Sequence, residues 1–294
     1  MKILNFGSCN IDMVYSVDHI VLPKETISAT ELQHFVGGKG LNQSVAIAKS
    51  GFPVYHAGCV GKDGEMLVDF MKSVGVDVKY VRVLDGSSGH AVIQLDKNGQ
   101  NSILLFAGAN HCVTAEYVDR VLEDFESGDF IVLQNEISNL DYIVDKAFEK
   151  GLKIFLNPSP YDEKITSDIL GKVSYLILNE VELAGITGIS DIEKGLESIN
   201  NKYSDCKVVV TIGEDGCIYS YKNTAIKQSA FNVEVVDTTA AGDTFMGYFI
   251  SQTASNKTLE EALRTASMAA AITVSRKGAA PSIPLITEIK DFRG

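Results

Sequence analysis

The sequence predicts an α/β protein: a mainly parallel sheet flanked by helices, with a small β-sheet lid. Three observations predict it. Strand-like apolar runs alternate with segments of helical period along most of the 294 residues, the pattern of a sheet covered on both faces. Glycine-rich and polar motifs fall at or just beyond the ends of those runs, where parallel sheets collect ligands. Two stretches, about 13–36 and 80–106, break the alternation with extended character and an Asn98-Gly99 hairpin signal.

The elements follow in order. Strands are expected at 3–7, 54–60, 130–134, 153–157, 175–178 and 207–212, with a further β-type run at 232–236. Helices are expected at 41–50, 65–74, 140–150, 192–200, 244–252 and 259–274. Ser190-x-x-Glu193 and Thr258-x-x-Glu261 read as capping boxes that start two of them. Residues 90–95 and 102–106 read as lid strands around the hairpin turn. No linker or internal repeat divides the chain, so residues 1–294 are read as one domain. The open edges and face of a lid could also pair with a second copy, which makes a homodimer the expected assembly.

Composition narrows the function. Hydrophobic residues make up 45% and charged residues 22%, as in ordinary globular chains. No apolar run is long enough to span a bilayer, and the N-terminus lacks signal-peptide character, so a cytoplasmic protein is expected. A net charge of −12 with no basic block argues against nucleic acid. Five scattered cysteines and five histidines show neither disulfide nor metal spacing. The P-loop, dinucleotide and protein-kinase signatures are absent.

Four segments carry chemistry. In Asp237-Thr238-Thr239-Ala240-Ala241-Gly242-Asp243-Thr244-Phe245, small residues open a helix whose first amide groups face outward, a cradle for an anion. Asp243 sits one residue past the cradle, placed to take a proton from a hydroxyl. Gly37-Gly38-Lys39-Gly40-Leu41-Asn42-Gln43 opens another helix; its glycines admit a ligand, and Lys39 and Asn42 offer donors to sugar hydroxyls. Asn10-Ile11-Asp12 places two polar side chains on one face. Asn179 and Glu182, at i and i+3, suit Mg²⁺ with its retained waters. Each segment also has a plain structural reading: cap, turn, polar turn, or cap with an exposed acid.

Together these motifs make the chain resemble the ribokinase-like (PfkB-type) family of carbohydrate kinases, from Gly7-Ser8-Cys9-Asn10-Ile11-Asp12 to Gly278-Ala279-Ala280-Pro281-Ser282. Ala107-Gly108-Ala109-Asn110, Leu156-Asn157-Pro158 and Arg276-Lys277-Gly278-Ala279 add to the resemblance. The resemblance implies a Rossmann-like fold and ATP-dependent phosphorylation of the primary hydroxyl of a small sugar. Ribose comes first; fructose, deoxyribose, a ketodeoxy sugar acid or a nucleoside are alternatives. A non-catalytic sugar sensor is a weaker alternative, since a sensor needs neither base nor anion hole. By resemblance, Asn10, Asp12, Gly38, Lys39, Gly40, Asn42 and Glu136 bind the sugar, and Asp243 is the base. Ala240, Ala241 and Gly242 form the anion hole. Asn179, Thr211, Gly213, Glu214, Gly216, Gly242 and Ser267 lie along the nucleotide, while Asn179 and Glu182 organise Mg²⁺. Asp237, Thr239, Thr273, Arg276, Gly278 and Ser282 match a monovalent-cation site, usually potassium. Three positions depart from the family pattern. Ser267 replaces a common His or Asn near the adenine, Leu105-Phe106 stands where some members carry His, and Thr239 replaces an aliphatic residue.

Overall fold

The computed structural model describes residues 1–162 and 165–292. In chain order the strands are β1 (Ile3–Phe6), β2 (Asn10–Val17), β3 (Glu31–Gly37), β4 (Tyr55–Val60), β5 (Asp77–Val83), β6 (Gly89–Asp96), β7 (Asn101–Phe106), β8 (Phe130–Gln134), β9 (Lys153–Asn157), β10 (Tyr175–Asn179), β11 (Lys207–Thr211), β12 (Cys217–Tyr221) and β13 (Thr224–Gln228). The helices are α1 (Lys39–Lys49), α2 (Glu65–Ser73), α3 (Ala115–Leu122), α4 (Leu140–Glu149), α5 (Ser167–Leu170), α6 (Glu180–Thr187), α7 (Ile192–Lys202), α8 (Ala241–Ala254), α9 (Leu259–Val274) and α10 (Ile286–Asp291).

Nine strands form the main sheet in the order β13-β12-β11-β10-β9-β8-β1-β4-β5. From β11 to β5 every neighbour pair is parallel, and β12 and β13 complete the far edge antiparallel. Successive residues of the central strands enter opposite cores. Ile3, Val132 and Val209 pack on the side of α1, α8 and α9. Leu4, Ile131, Leu133 and Val208 pack on the side of α3, α4, α6 and α7. Burial on both faces is why these strands read as continuous apolar runs. The chain leaves β1 for β4 and β5 on one side, then returns to place β8 on the other. The switch point therefore lies between β1 and β8, where open parallel sheets form a crevice.

The second sheet has the order β3-β2-β6-β7, with β2 and β6 parallel and the outer pairs antiparallel. Its turn between β6 and β7 uses Gly99 at φ 78°, closed by the Gly99 amide on the Asp96 carbonyl.

Three expectations need correction. Residues 80–83, expected among the lid strands, belong to β5 and pair with β4 in the main sheet. The run at 232–236 is not a strand; Asn232, Val233 and Val235 instead wall a cavity, and Val236 donates its amide to the Val274 carbonyl. The start of α7 is capped by Asp191, whose carboxylate accepts from Lys194 N at 2.9 Å, rather than by Ser190. The Thr258–Glu261 capping box is present at the start of α9. Among the described residues, no helix is long and apolar enough to cross a membrane.

Candidate active site

The N-terminus of α8 is uncapped. Ala240 precedes it in the left-handed region (φ 61°) and no side chain caps it, a strained conformation that costs a non-glycine residue roughly 1–2 kcal/mol. A side chain built at Gly242 would meet nothing within 4 Å. The first amides of the helix therefore face open space, where helix partial charge favours a phosphate.

Asp243 follows in the first turn and is buried. Its two carboxylate oxygens each accept one hydrogen bond from α1. Asn42 Nδ2 donates to Oδ2 at 3.0 Å, and Gln43 Nε2 donates to Oδ1 at 2.9 Å. The carboxylate plane is thereby fixed, while lone pairs remain for an incoming hydroxyl. Asn42 Oδ1 is buried without a hydrogen-bond partner, an unfavourable state for an acceptor.

The glycines of the α1 motif do something other than expected. A Cβ on Gly40 would stand 2.4 Å from Ser8 N, and one on Gly38, at φ 93°, would stand 2.8 Å from Asn10 N. They admit the chain's own backbone, so that α1 can press against the segment leaving β1. Leu41 N donates to Ser8 O there. Glu136, just past β8, accepts from the Ser8 hydroxyl and from Lys39 N at 3.1 Å. The switch point is thus closed by one carboxylate.

Asn10 and Asp12 open β2. Asn10 Oδ1 accepts from Asn110 Nδ2 at 2.8 Å, and Asn110 also clasps the Cys9 backbone. Burial and then the nearby Glu136 push the Asp12 carboxyl up to about 6. Burial raises Glu136 as well, against the bonds from Ser8 and Lys39. Burial would weaken the Lys39 charge, but Asp243, Glu136 and Glu182 around it outweigh that and hold it protonated.

Asn179 and Glu182 form a reciprocal capping box at the start of α6. Asn179 Oδ1 accepts from Glu182 N at 2.8 Å, and Glu182 Oε2 accepts from Asn179 N at 3.0 Å. Glu182 is buried rather than an exposed acid. Both residues line a cavity of about 230 Å³ with Lys39, Thr211, residues 240–242 and Asp243. A second cavity of about 870 Å³ adjoins it, lined by Gly213, Glu214, Gly216, Phe231 and Ser267. The two share Thr211, Thr238, Ala241 and Gly242. The anion cradle therefore stands on their common wall. Asn10, Asp12, Gly38, Gly40, Asn42 and Glu136 line neither cavity; hydrogen bonds through Lys39 and Asp243 connect Glu136 and Asn42 to the smaller one.

Asp237 accepts from Thr239 N and Oγ1 at 2.9 and 2.6 Å and from Gly278 N at 2.9 Å. Burial opposes its charge, but these bonds win and hold it below the usual carboxylate range. They join the loop before α8 to the segment after α9. Arg276 pairs with Glu288, and the Thr273 and Ser282 hydroxyls donate to backbone carbonyls of their own segments. Any cation there would rest mainly on carbonyl oxygens.

This arrangement can grip a phosphoryl group and deprotonate an alcohol beside it. The pfkB family carbohydrate kinase model matches residues 1–286. The chain belongs to the pfkB family of carbohydrate kinases. Among its relatives, a Haemophilus influenzae ribokinase is 32% identical, covering 97% of this kinase and 96% of that protein. A Salmonella typhi deoxyribokinase is 31% identical over 99% and 98%. A Thermotoga maritima ribokinase structure superposes with a TM-score of 0.90 at 33% identity, covering 99% and 98% of the two chains. An Arabidopsis thaliana ribokinase complexed with ribose and ATP gives 0.88 at 30% identity, covering 99% and 97%. This kinase is accordingly an ATP-dependent sugar kinase.

The roles of Gln43, Ser8, Asn110 and Gln134 are not legible in the sequence. Gln43 lies 200 residues from Asp243, and no local pattern announces that contact.

Proposed function

We propose that this kinase transfers the γ-phosphoryl group of ATP to the primary hydroxyl of D-ribose, giving ribose 5-phosphate and ADP. The observation that carries the reading is Asp243, a buried, doubly held carboxylate one residue past an open amide cradle. The hydroxyl proton passes to Asp243 as the oxygen bonds to the γ-phosphorus and the bond to the β–γ bridging oxygen breaks. The cradle at residues 240–242 steadies charge on the moving group. Lys39 adds a fixed positive charge in the same cavity. The larger cavity takes the nucleotide, with Ser267 on its wall. The sugar is assigned to the side of Asn10, Asp12 and Asn42, whose carboxylate and amides suit a polyhydroxylated ring.

Asn179 and Glu182 fit a Mg²⁺ held largely through water, since the capping box leaves each with oxygen lone pairs on the cavity wall. When bound, that ion neutralises phosphate charge. Potassium is read at the Asp237–Gly278 junction, and a second copy of the chain against the exposed small sheet.

Deoxyribose is the second reading, favoured by the deoxyribokinase relative. An ADP-release assay across ribose, deoxyribose, fructose and a nucleoside, in potassium and in sodium-only buffer, tests the whole. Ribose is expected to give the highest kcat/KM, and potassium the faster rate. Asp243→Asn is expected to lose ~10²–10⁴-fold in kcat with little change in sugar affinity. Preference for another acceptor rejects ribose, equal rates in both salts reject the potassium assignment, and near-normal turnover of Asp243→Asn removes it as the base.

A further inference from the structure

We propose that Gln134 is a positioning residue for the base, acting through Gln43. The proposal rests on the reading of Asp243 as that base. A chain of buried amides runs from the switch point to Asp243. Asn5 Nδ2 on β1 donates to Gly40 O at 2.8 Å. Gln134 Nε2, at the end of β8, donates to Asn5 Oδ1 at 3.0 Å and to Gln43 Oε1 at 2.7 Å. Gln43 Nε2 then donates to Asp243 Oδ1 at 2.9 Å. Asn5, Gln43 and Gln134 are each at most 1% exposed, so water cannot replace a missing partner.

The polarity of this chain is forced. An amide has nearly the same shape with its oxygen and nitrogen exchanged, so its partners decide its sense. Both ends here, the Gly40 carbonyl and the Asp243 carboxylate, only accept. Asn5 and Gln43 must each turn nitrogen outward to an end and oxygen inward to the centre. The central group must then donate twice, and the two hydrogens of the Gln134 amide nitrogen do so. A carboxylic acid has at most one hydrogen, and a hydroxyl one.

Gln134 holds this sense at a cost. Its own Oε1 is buried without a partner, against Gly7, where a Cβ would come within 2.2 Å of it. An unpaired buried acceptor is unfavourable. The opposite sense would set oxygen against oxygen at both Asn5 and Gln43, and would free Gln43 to turn its oxygen toward Asp243. Other charges near Asp243 are Lys39 on α1, Glu136 past β8 and Glu182 on α6. The Gln43 donor thus supports the base beside two further acids.

Gln134→Met keeps length and removes both donors. Its expected single-turnover rate of phosphoryl transfer is about 10- to 100-fold lower, the scale set by small misplacements of reacting groups. KM for sugar and for ATP should stay within about twofold, in keeping with a loss confined to the transition state. An unchanged rate, or a lower rate with either KM raised well beyond about twofold, overturns the proposal. Should Gln134→Met not fold, Asn5→Leu, which frees Gln134 to swing, decides by the same readouts. Asp243→Asn run beside it separates the two ideas. Near-normal turnover there removes the base, whereas an inactive Asp243→Asn with a parent-like Gln134→Met removes the relay alone.

Discussion

Asp12 shows how a single residue trades stability for a site. Its carboxyl has an ordinary value of 3.8 and is raised to about 6 in the folded chain. Between those values the native state holds the proton more tightly than the unfolded state. Stability from this group is therefore present at low pH and lost as pH rises through 6. At neutral pH the charge is a burden, one the proposed role in hydroxyl recognition accounts for. Asp12→Asn is expected to be more stable by about 1–2 kcal/mol at pH 7, discounted for its partial exposure. The gain should vanish near pH 4, and KM for the sugar should rise. Urea unfolding at both pH values checks the sign; a less stable Asp12→Asn at pH 7 contradicts it. The residue types at this site were readable in the sequence because acids, amides and glycines cluster in short motifs. Their partners were not. Asn42 suggested a sugar ligand, yet its amide nitrogen is turned to Asp243, and only three-dimensional packing decides that.

At the scale of elements, α1 is the part on which the site depends most. Gly38 and Gly40 near its start leave no Cβ against the Gly7–Asn10 backbone, and Gly37 leaves none against the Asp12 carboxylate. The helix carries Lys39, Asn42 and Gln43 inward on consecutive turns. Gly40→Ala would force its Cβ onto Ser8 N and Gly7 C, both backbone atoms that cannot turn aside. A loss of about 2–3 kcal/mol is expected, with kcat falling further because the donors to Asp243 move too. Denaturant midpoints and kcat measured together check this; a parent-like variant refutes the tight approach. Elements were legible where one physical signal dominates. The central strands are buried on both faces, and Thr258 with Glu261 fixes a helix start. They were misread where two signals compete. Ser190 and Asp191 are both good caps, and the helix takes the second. The run at 232–236 pairs with no strand, and Asn232, Val233 and Val235 face a cavity instead.

Across the whole molecule, the main sheet was visible in the alternation of strands and helices, but the partner of each strand was not. Residues 80–83 read locally like their neighbours in the small sheet, and only the parallel pairing with β4 assigns them to the large one. The small sheet leaves much apolar surface bare. Every residue of β7 is exposed, including Ile103, Leu104, Leu105 and Phe106, and Leu32 and Phe35 of β3 are exposed as well. Its outer strand also presents an unpaired edge. This surface supports the reading of a pair of copies joined there. Light scattering is expected to give a dimer for the parent and a monomer for Leu104→Glu; a monomeric parent ends that reading. On the proposed reading the proton acceptor and the phosphate grip share the first turn of one helix, α8, so the helix itself sets their spacing. A swinging flap would carry the guest to the machinery and leave the machinery undisturbed, much as a press brings paper to fixed type.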